Sequence, residues 1–254
     1  MSIQSVERAV GILKVLAASS KRLSLAEVSN TLGLAKTTVF GLLKTLHEQG
    51  FVEQDSETSK YQIGHALLEL GSRYLDVSEL RRRSLVHADL LAQRSGESVR
   101  VGVLRSGSAL IVHHVFRPDN ALQILEVGQQ RPLHATALGK VLLAHQPEVL
   151  GELPQPLVRL TQHTRVKRAE VVGELNAVLE QGYALEREEA VLAEAGIAAP
   201  IFDHQGTVIG AIGINGAQGA LYGRTEPHRR LINLVTETAR SISRELLSGR
   251  LQTH

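Results

Sequence analysis

Between Gly33 and His47 the chain carries Lys36, Thr37, Thr38, Lys44 and His47 with no acidic residue among them. On a helix these fall on one polar face, and cations and hydroxyls without carboxylates suit close approach to phosphates. The first residues of such a helix lie nearest base edges in a major groove, which assigns base contacts to Lys36, Thr37 and Thr38 and a phosphate contact to Lys44. Ser24 and Lys60, on flanking elements, join them as candidate DNA-binding residues. Phe40 is open to two roles, touching a thymine methyl or packing inside. Gly41 costs ~1 kcal/mol against alanine within a helix, and close backbone approach to DNA would compensate.

Covalent and metal chemistry finds less support. There is no cysteine, which removes disulfides, thiolate zinc sites and a cysteine nucleophile together and suits a reducing compartment. Gly210–Gly216 (GAIGING) is glycine-rich, but its spacing is wrong for a dinucleotide loop and it ends a strand. Leu138-Gly139-Lys140 lacks the upstream glycine and the hydroxyl residue of a phosphate-binding loop. His113 and His114 are neighbours on a strand, so their side chains take opposite faces and cannot share one metal. No G-x-S-x-G elbow occurs. The expected catalytic and metal residues are therefore none, and no cofactor is implied. An enzyme using His134 and Glu186 as an acid–base pair stands as the alternative, and a non-specific architectural DNA binder as a third reading.

Val6, Val10, Leu13 and Leu16 predict an amphipathic helix over 5–17, capped by Ser5 and polar on its other face. Ser24 with Glu27 fits a capping box, Leu25, Val28 and Leu32 form a stripe, and Gly33 suits a left-handed stop. A third helix over 36–49 buries Val39, Leu42, Leu43 and Leu46 and ends at Gly50. Residues 51–54 and 60–63 read as two strands around the turn 55–59. Three helices and a hairpin make a winged helix-turn-helix.

Helical spacing continues over 65–74, then over 79–94 through Leu80, Leu85, Leu90 and Leu91. Arg81-Arg82-Arg83 reads as a solvated face in preference to a second DNA contact. From residue 97 the period turns to strands: 98–105 and 109–115 around the turn Arg105–Ser108, then 121–126, 183–186, 196–202 and 208–215, the last two pairing across Asp203–Gly206. Helices are expected over 135–144, 168–181 and 226–247. The fold class is α+β, with an antiparallel sheet and helices packed on it.

The chain has 254 residues, 43% of them hydrophobic and 21% charged, so two unequal folded domains are expected. Formal charge is only +2, so a nucleic-acid reading rests on where the cations sit. Glu7, Arg8 and Lys14 interrupt the N-terminal apolar stretch, and no long uncharged apolar run follows, which argues against a signal peptide or membrane span and for the cytoplasm.

Over essentially its whole length the sequence resembles the IclR family of bacterial regulators. SVERAVGILKVL, LSLAEVSNTLGLAKTTVFGLLKTL and FVEQDSETSKYQIG are similar to that family's winged helix-turn-helix. PLHATALGK, QGYALEREE and GIAAPIFDHQGTVIGAIGING resemble its ligand-pocket region. FVEQDSETSKYQIGHALLELGSRYLD, SGESVRVGV and LIVHHVFRPD are particularly similar to members that regulate glycerol operons.

The resemblance implies a DNA-binding domain over 1–64, a linker helix over 65–78 and a GAF-like effector-binding domain over 79–254. It implies a homodimer, or a dimer of dimers, that binds operator DNA and regulates a metabolic operon, as a repressor, under control of a small effector. Helices between 67 and 94 would transmit the effector's bias. A glycerol-type member suggests glycerol or glycerol 3-phosphate, whereas family effectors are often small carboxylates, which leaves a carboxylate-sensing activator as the alternative. Carried over by motif, the pocket comprises the amides of Ala137 and Leu138 at a helix start, which suit an anion, with Glu186, Gly196, Gly213 and Asn215 facing them. Well-known members place cysteine or serine where Gly196 and Gly213 stand, so this pocket has fewer side-chain donors and a wider floor, and Glu186 and Asn215 suit a polyol's hydroxyls. Arg131 and His134 are open to two readings, phosphate partners or surface residues.

Overall fold

A computed structural model describes residues 3–67, 69–70, 79–119 and 122–248. The chain forms two compact units dividing at Val77/Ser78.

In the first unit, α1 (Gln4–Ala18), α2 (Leu25–Leu32) and α3 (Lys36–Glu48) precede the hairpin β1 (Val52–Gln54) and β2 (Tyr61–Ile63). The core is Ile12, Leu16, Val28, Val39, Leu43, Val52 and Tyr61. Two expectations for α1 fail. Ser5 is no cap, because the helix starts a residue earlier behind Ile3, which makes no side-chain cap bond. Val6 and Val10 are exposed, whereas Leu16 of the expected stripe is buried and Leu13 packs partly buried beside it, with Ile12 joining them. The capping box at α2 forms as read: the Glu27 amide donates to the Ser24 hydroxyl, and the Glu27 carboxylate accepts from the Ser24 amide at 2.7 Å. Gly33 stops α2 with φ +63°, and the Ser29 hydroxyl donates to the Leu34 carbonyl, fixing the turn into α3. The hairpin is antiparallel, with Asp55 accepting from the amide and hydroxyl of Thr58 and pairing with Arg22. His65–Leu67 and Glu69–Leu70 are helical, but most of the expected linker helix, residues 68 and 71–78, lies outside the described residues.

The second unit is a six-stranded, wholly antiparallel sheet in the order β5-β4-β3-β8-β7-β6. Its strands are β3 (Ser98–Arg105), β4 (Ser108–Val115), β5 (Gln130–Arg131), β6 (Ala184–Arg187), β7 (Glu194–Phe202) and β8 (Val208–Ala217). Helices α4 (Glu79–Ser95) and α9 (Arg229–Ser248) cover one face, while α5 (Ala137–Ala144) and α7 (Arg168–Gln181) cover the other. Short helices α6 (Glu148–Glu152) and α8 (Gln218–Leu221) complete the order and were not foreseen. Positive φ at Ser106 and Gly107 makes the tight β3–β4 turn that a right-twisted hairpin favours.

Three readings are corrected here. Residues 122–126 form no strand, and Leu122 and Ile124 project outward with 100% and 76% exposure, whereas two-residue β5 pairs with β4 instead. Residue 121 lies outside the described residues. In α4 the buried stripe is Leu80, Ser84, Ala88 and Leu91, and Leu90 is exposed. Of the three arginines only Arg82 is well exposed; Arg83 reaches Glu79 at 3.7 Å and, with Arg81, is half-buried.

Candidate nucleic-acid interface and ligand pocket

The outward face of α3 presents Lys36, Thr37, Phe40, Gly41 and Lys44, all exposed, while Val39 and Leu43 anchor the opposite face. Spacing of three, four and seven residues places them on one stripe. Thr38 is half-buried at its edge. Of the two roles open to Phe40, packing inside is excluded: its ring is 54% exposed. Nothing in the chain lies within 4 Å of where a Cβ on Gly41 would stand, so internal packing does not require this glycine. Lys44 faces Glu48 at 4.0 Å, a solvated pair that leaves the ammonium available. Lys60 is exposed at the start of β2, whereas the Ser24 hydroxyl is occupied in the capping box.

In the second unit the strand register assembles the pocket. Glu186 pairs with Gly196, Gly196 with Asn215 and Asn215 with Ser98, giving one row across β6, β7, β8 and β3. The next row is Ala184, Ala198, Gly213, Arg100 and His114. Directly paired and alternate residues share a face, so both rows lie beneath α5. A Cβ on Gly196 would stand 2.8 Å from the Asn215 amide nitrogen and 3.3 Å from both the Ala137 methyl and a Glu186 carboxylate oxygen. Four of the six sequence-predicted pocket residues therefore meet at this point. Leu138 lines the adjoining cavity, and Gly213 lies in the second row, where a Cβ would strike the Ile197 carbonyl at 2.6 Å. His113 takes the opposite face from His114, as strand alternation requires, and its charged neighbours are Arg81 and Asp89 of α4.

Helix α5 is held over these rows by its own N-terminal chemistry. The Thr136 hydroxyl accepts from the Gly139 amide at 3.1 Å and donates to the Pro132 carbonyl at 2.7 Å. A Cβ on Gly139 would stand 2.5 Å from the Leu133 backbone, so the close seating of the helix depends on glycine. Helix geometry gives the amides of Ala137 and Leu138 no intrahelical acceptor. His134, left open between two roles, fills neither: it is buried and its Nε2 lies 2.9 Å from the Val158 carbonyl.

Lys140, whose sequence context fails as a phosphate-binding loop, is 1% exposed. Its ammonium donates to the Leu185 carbonyl at 3.1 Å and to Glu189 at 2.6 Å and lies 2.9 Å from Glu174. Arg165 bridges the same two carboxylates at 3.0 and 3.1 Å. This network pins the segment after β6, where Glu186 accepts from the amides of Glu189 at 2.9 Å and Ala190 at 3.3 Å. Burial pushes the Glu186 carboxyl up to about 7, against the pull of those amides.

Two adjoining cavities open on the sheet face. The inner one, about 100 Å³, is lined by Thr136, Leu138, Glu186, Ala190, Asn215 and Arg100 among others. The outer one, about 530 Å³, shares Arg100, Glu126, Glu194 and Asn215 and adds Ser98, His114 and Arg117. Sequence reading missed Arg100, Glu126 and Glu194. Arg100 donates to Glu126 at 2.5 Å, and Arg131 donates from Nε to the other oxygen of that carboxylate at 3.1 Å. His114 accepts from the Glu126 amide at 3.2 Å, and burial, with Arg100 nearby, lowers its pKa. No group of residues with metal-holding arrangement occurs among the described residues.

The IclR helix-turn-helix domain matches residues 5–56, and the C-terminal domain of bacterial IclR transcriptional regulators matches residues 72–244. The glycerol operon regulatory proteins of Streptomyces coelicolor and Streptomyces griseus are 46% and 44% identical to the chain over 250 residues, covering 98% of each sequence. Among solved structures, an IclR transcriptional regulator from Alicyclobacillus acidocaldarius superposes with a TM-score of 0.81 at 26% identity, over 97% of this chain and all of that one. A helix-turn-helix unit followed by a sheet-bearing unit thus matches the family's two domains in order, and the chain belongs to the IclR family of DNA-binding transcriptional regulators.

Proposed function

We propose that the protein is a repressor that binds a near-palindromic operator as a homodimer, or a dimer of dimers, and that a small polyol in the inner cavity sets its affinity. Residues 1–64 serve as the DNA-binding domain, 65–78 as the linker and 79–254 as the GAF-like effector domain, acting in the cytoplasm where the operator lies. The observation that carries the DNA half is the exposed stripe of α3 from Lys36 to Lys44, free of acids up to Glu48, on which Phe40 stands exposed beside a glycine that internal packing does not need. Lys36, Thr37 and Thr38 read base edges, Phe40 meets a thymine methyl, Gly41 lets the backbone come close, and Lys44 and Lys60 hold phosphates. Ser24 contributes by fixing the start of α2 through its capping box.

The effector half rests on three features. The inner cavity is far smaller than the ~300 Å³ and upwards of drug-sized sites, so it suits a molecule of a few carbons. Gly196 leaves the space between Ala137, Glu186 and Asn215 free of a side chain, and Glu186 and Asn215 offer an acceptor and a donor for hydroxyls. The relatives above regulate glycerol operons. A buried carboxyl facing the α5 amides disfavours a small carboxylate there. The test is footprinting: the double variant Lys36→Ala/Thr38→Ala loses operator protection while remaining dimeric. Unchanged protection would refute the assignment of α3.

A further inference from the structure

We propose that Lys140 is a positioning residue of the effector pocket: from within α5 it latches the loop 188–193 through Glu189, and that latch fixes Glu186 for a ligand hydroxyl. This rests on the assignment of the inner cavity to the polyol and extends it.

The loop joins β6 to β7, with Ala190 and Val191 on the inner cavity and Leu192 and Ala193 on the outer. Both of its ends are strained: Glu188 and Ala193 hold φ of +57° and +62°, a left-handed conformation that favours glycine. Such a loop keeps its shape only where its surroundings impose it. Within it, the Ala193 amide donates to the Glu188 carboxylate at 2.9 Å. From outside, the Thr161 and Thr164 hydroxyls donate to the Glu188 and Glu189 carbonyls at 2.6 and 2.7 Å. These bonds hold the backbone, and the Glu189 side chain ties the loop to α5 through Lys140.

Two cations reach Glu189, and they are unequal. Both meet the same oxygen, Lys140 at 2.6 Å and Arg165 at 3.1 Å, but the Lys140 side chain is 1% exposed and that of Arg165 41%. Water screens the arginine and not the lysine, so Lys140 supplies the larger share of the hold. Lys140 also donates to the carbonyl of Leu185, the residue before Glu186. One buried ammonium therefore joins α5, whose first turn borders the inner cavity, to the segment that carries Glu186.

Glu186 passes the consequence to the ligand. Its Oε1 accepts from the Glu189 and Ala190 amides, while its Oε2 lies 3.3 Å from where a Cβ on Gly196 would stand, in the space assigned to the polyol. When Glu189 slips, those two amides leave with it and the carboxyl is no longer aimed. A hydroxyl bound at Oε2 and the latch at Oε1 thus support one another.

Hydrogen exchange on the full-length protein tests the latch without a ligand. Lys140→Met alone strands the Glu189 charge in the interior, so the informative variant is Lys140→Met/Glu189→Leu, which removes both charges. In it the segment 186–193 should exchange at least about tenfold faster, with β8 unchanged. Glu174→Gln is the control, because Glu174 also lies 2.9 Å from Lys140 but stands on α7, outside the loop. Whatever stability it loses, exchange over 186–193 should stay within about twofold of wild type. Unchanged exchange in the double variant, or equal acceleration in Glu174→Gln, would overturn the latch. Calorimetry with glycerol and glycerol 3-phosphate then tests positioning. The polyol that wild type binds should bind the double variant at least about tenfold more weakly, and Glu174→Gln as wild type does. Full affinity in a double variant whose loop has loosened would overturn the positioning role. Gly196→Val, whose side chain fills the inner cavity, should lose both polyols. Binding unchanged there, or absent from wild type, would refute the polyol reading and leave the exchange result to decide the latch.

Discussion

The charged residues of the second unit divide into those that line the cavities and those that hold the walls in place. Glu186 lines the inner cavity, and its raised pKa gives a directional consequence. The carboxyl sits at about 7 in the folded protein against 4.5 ordinarily, so the folded state binds the extra proton. Its favourable contribution is complete below about pH 4.5 and is lost as pH rises through about 7. We expect Glu186→Gln to remove this loss: chemical denaturation should show the variant gaining stability relative to wild type between pH 5 and pH 8. A constant difference across that range would place the titration elsewhere. The residues on α3 were legible in sequence because their signal is local, five side chains within nine positions and no acid among them. Lys140 and Arg100 were not, because what makes them structural or ligand-facing is a partner 26 to 49 residues away, Glu126 for one and Glu174 and Glu189 for the other.

Two helical glycines show how opposite reasons can select one residue type. Gly139 faces the Leu133 backbone at 2.5 Å, so Gly139→Ala should destabilise the protein by ~1–3 kcal/mol in thermal or urea unfolding despite alanine's better helix propensity. Gly41 faces open space, so Gly41→Ala should stabilise by ~0.5–1 kcal/mol while weakening operator binding several-fold. A stabilised variant with unchanged DNA affinity would show that close approach is not why glycine stands there. Elements with local punctuation were read well: the Ser24–Glu27 box, Gly33, and the β3–β4 hairpin with Ser106-Gly107 at its tip. The segment 122–126 was misread because alternating Leu122 and Ile124 mimic a strand, although no neighbour pairs with them. In α1 and α4 part of each stripe was read correctly, Leu16, Leu80 and Leu91 being buried, while Val6, Val10 and Leu90 face outward; in α4 the small residues Ser84 and Ala88 share the buried face with the leucines.

At the scale of the whole molecule, a formal charge of only +2 shows that affinity for DNA must come from placement of cations. Each phosphate contact should contribute its own share of salt dependence, and Lys44→Ala should lower the slope of log K against log salt by about one. A slope unchanged from wild type would remove Lys44 from the contacts. The membership that joins α3 to the pocket is shown by matches spanning both units. What makes the protein a ligand-controlled switch is a coupling between them, and a ligand can shift DNA binding only by preferring one arrangement over another. The most direct measurement is fluorescence anisotropy at one fixed salt concentration, on a duplex that the protein itself selects from a random pool, with and without saturating glycerol 3-phosphate. We expect the ligand to weaken wild-type binding by roughly tenfold, a coupling of about 1.4 kcal/mol, and to leave Gly196→Val unaffected. Identical isotherms for wild type with and without ligand would contradict the central claim that the pocket governs DNA binding.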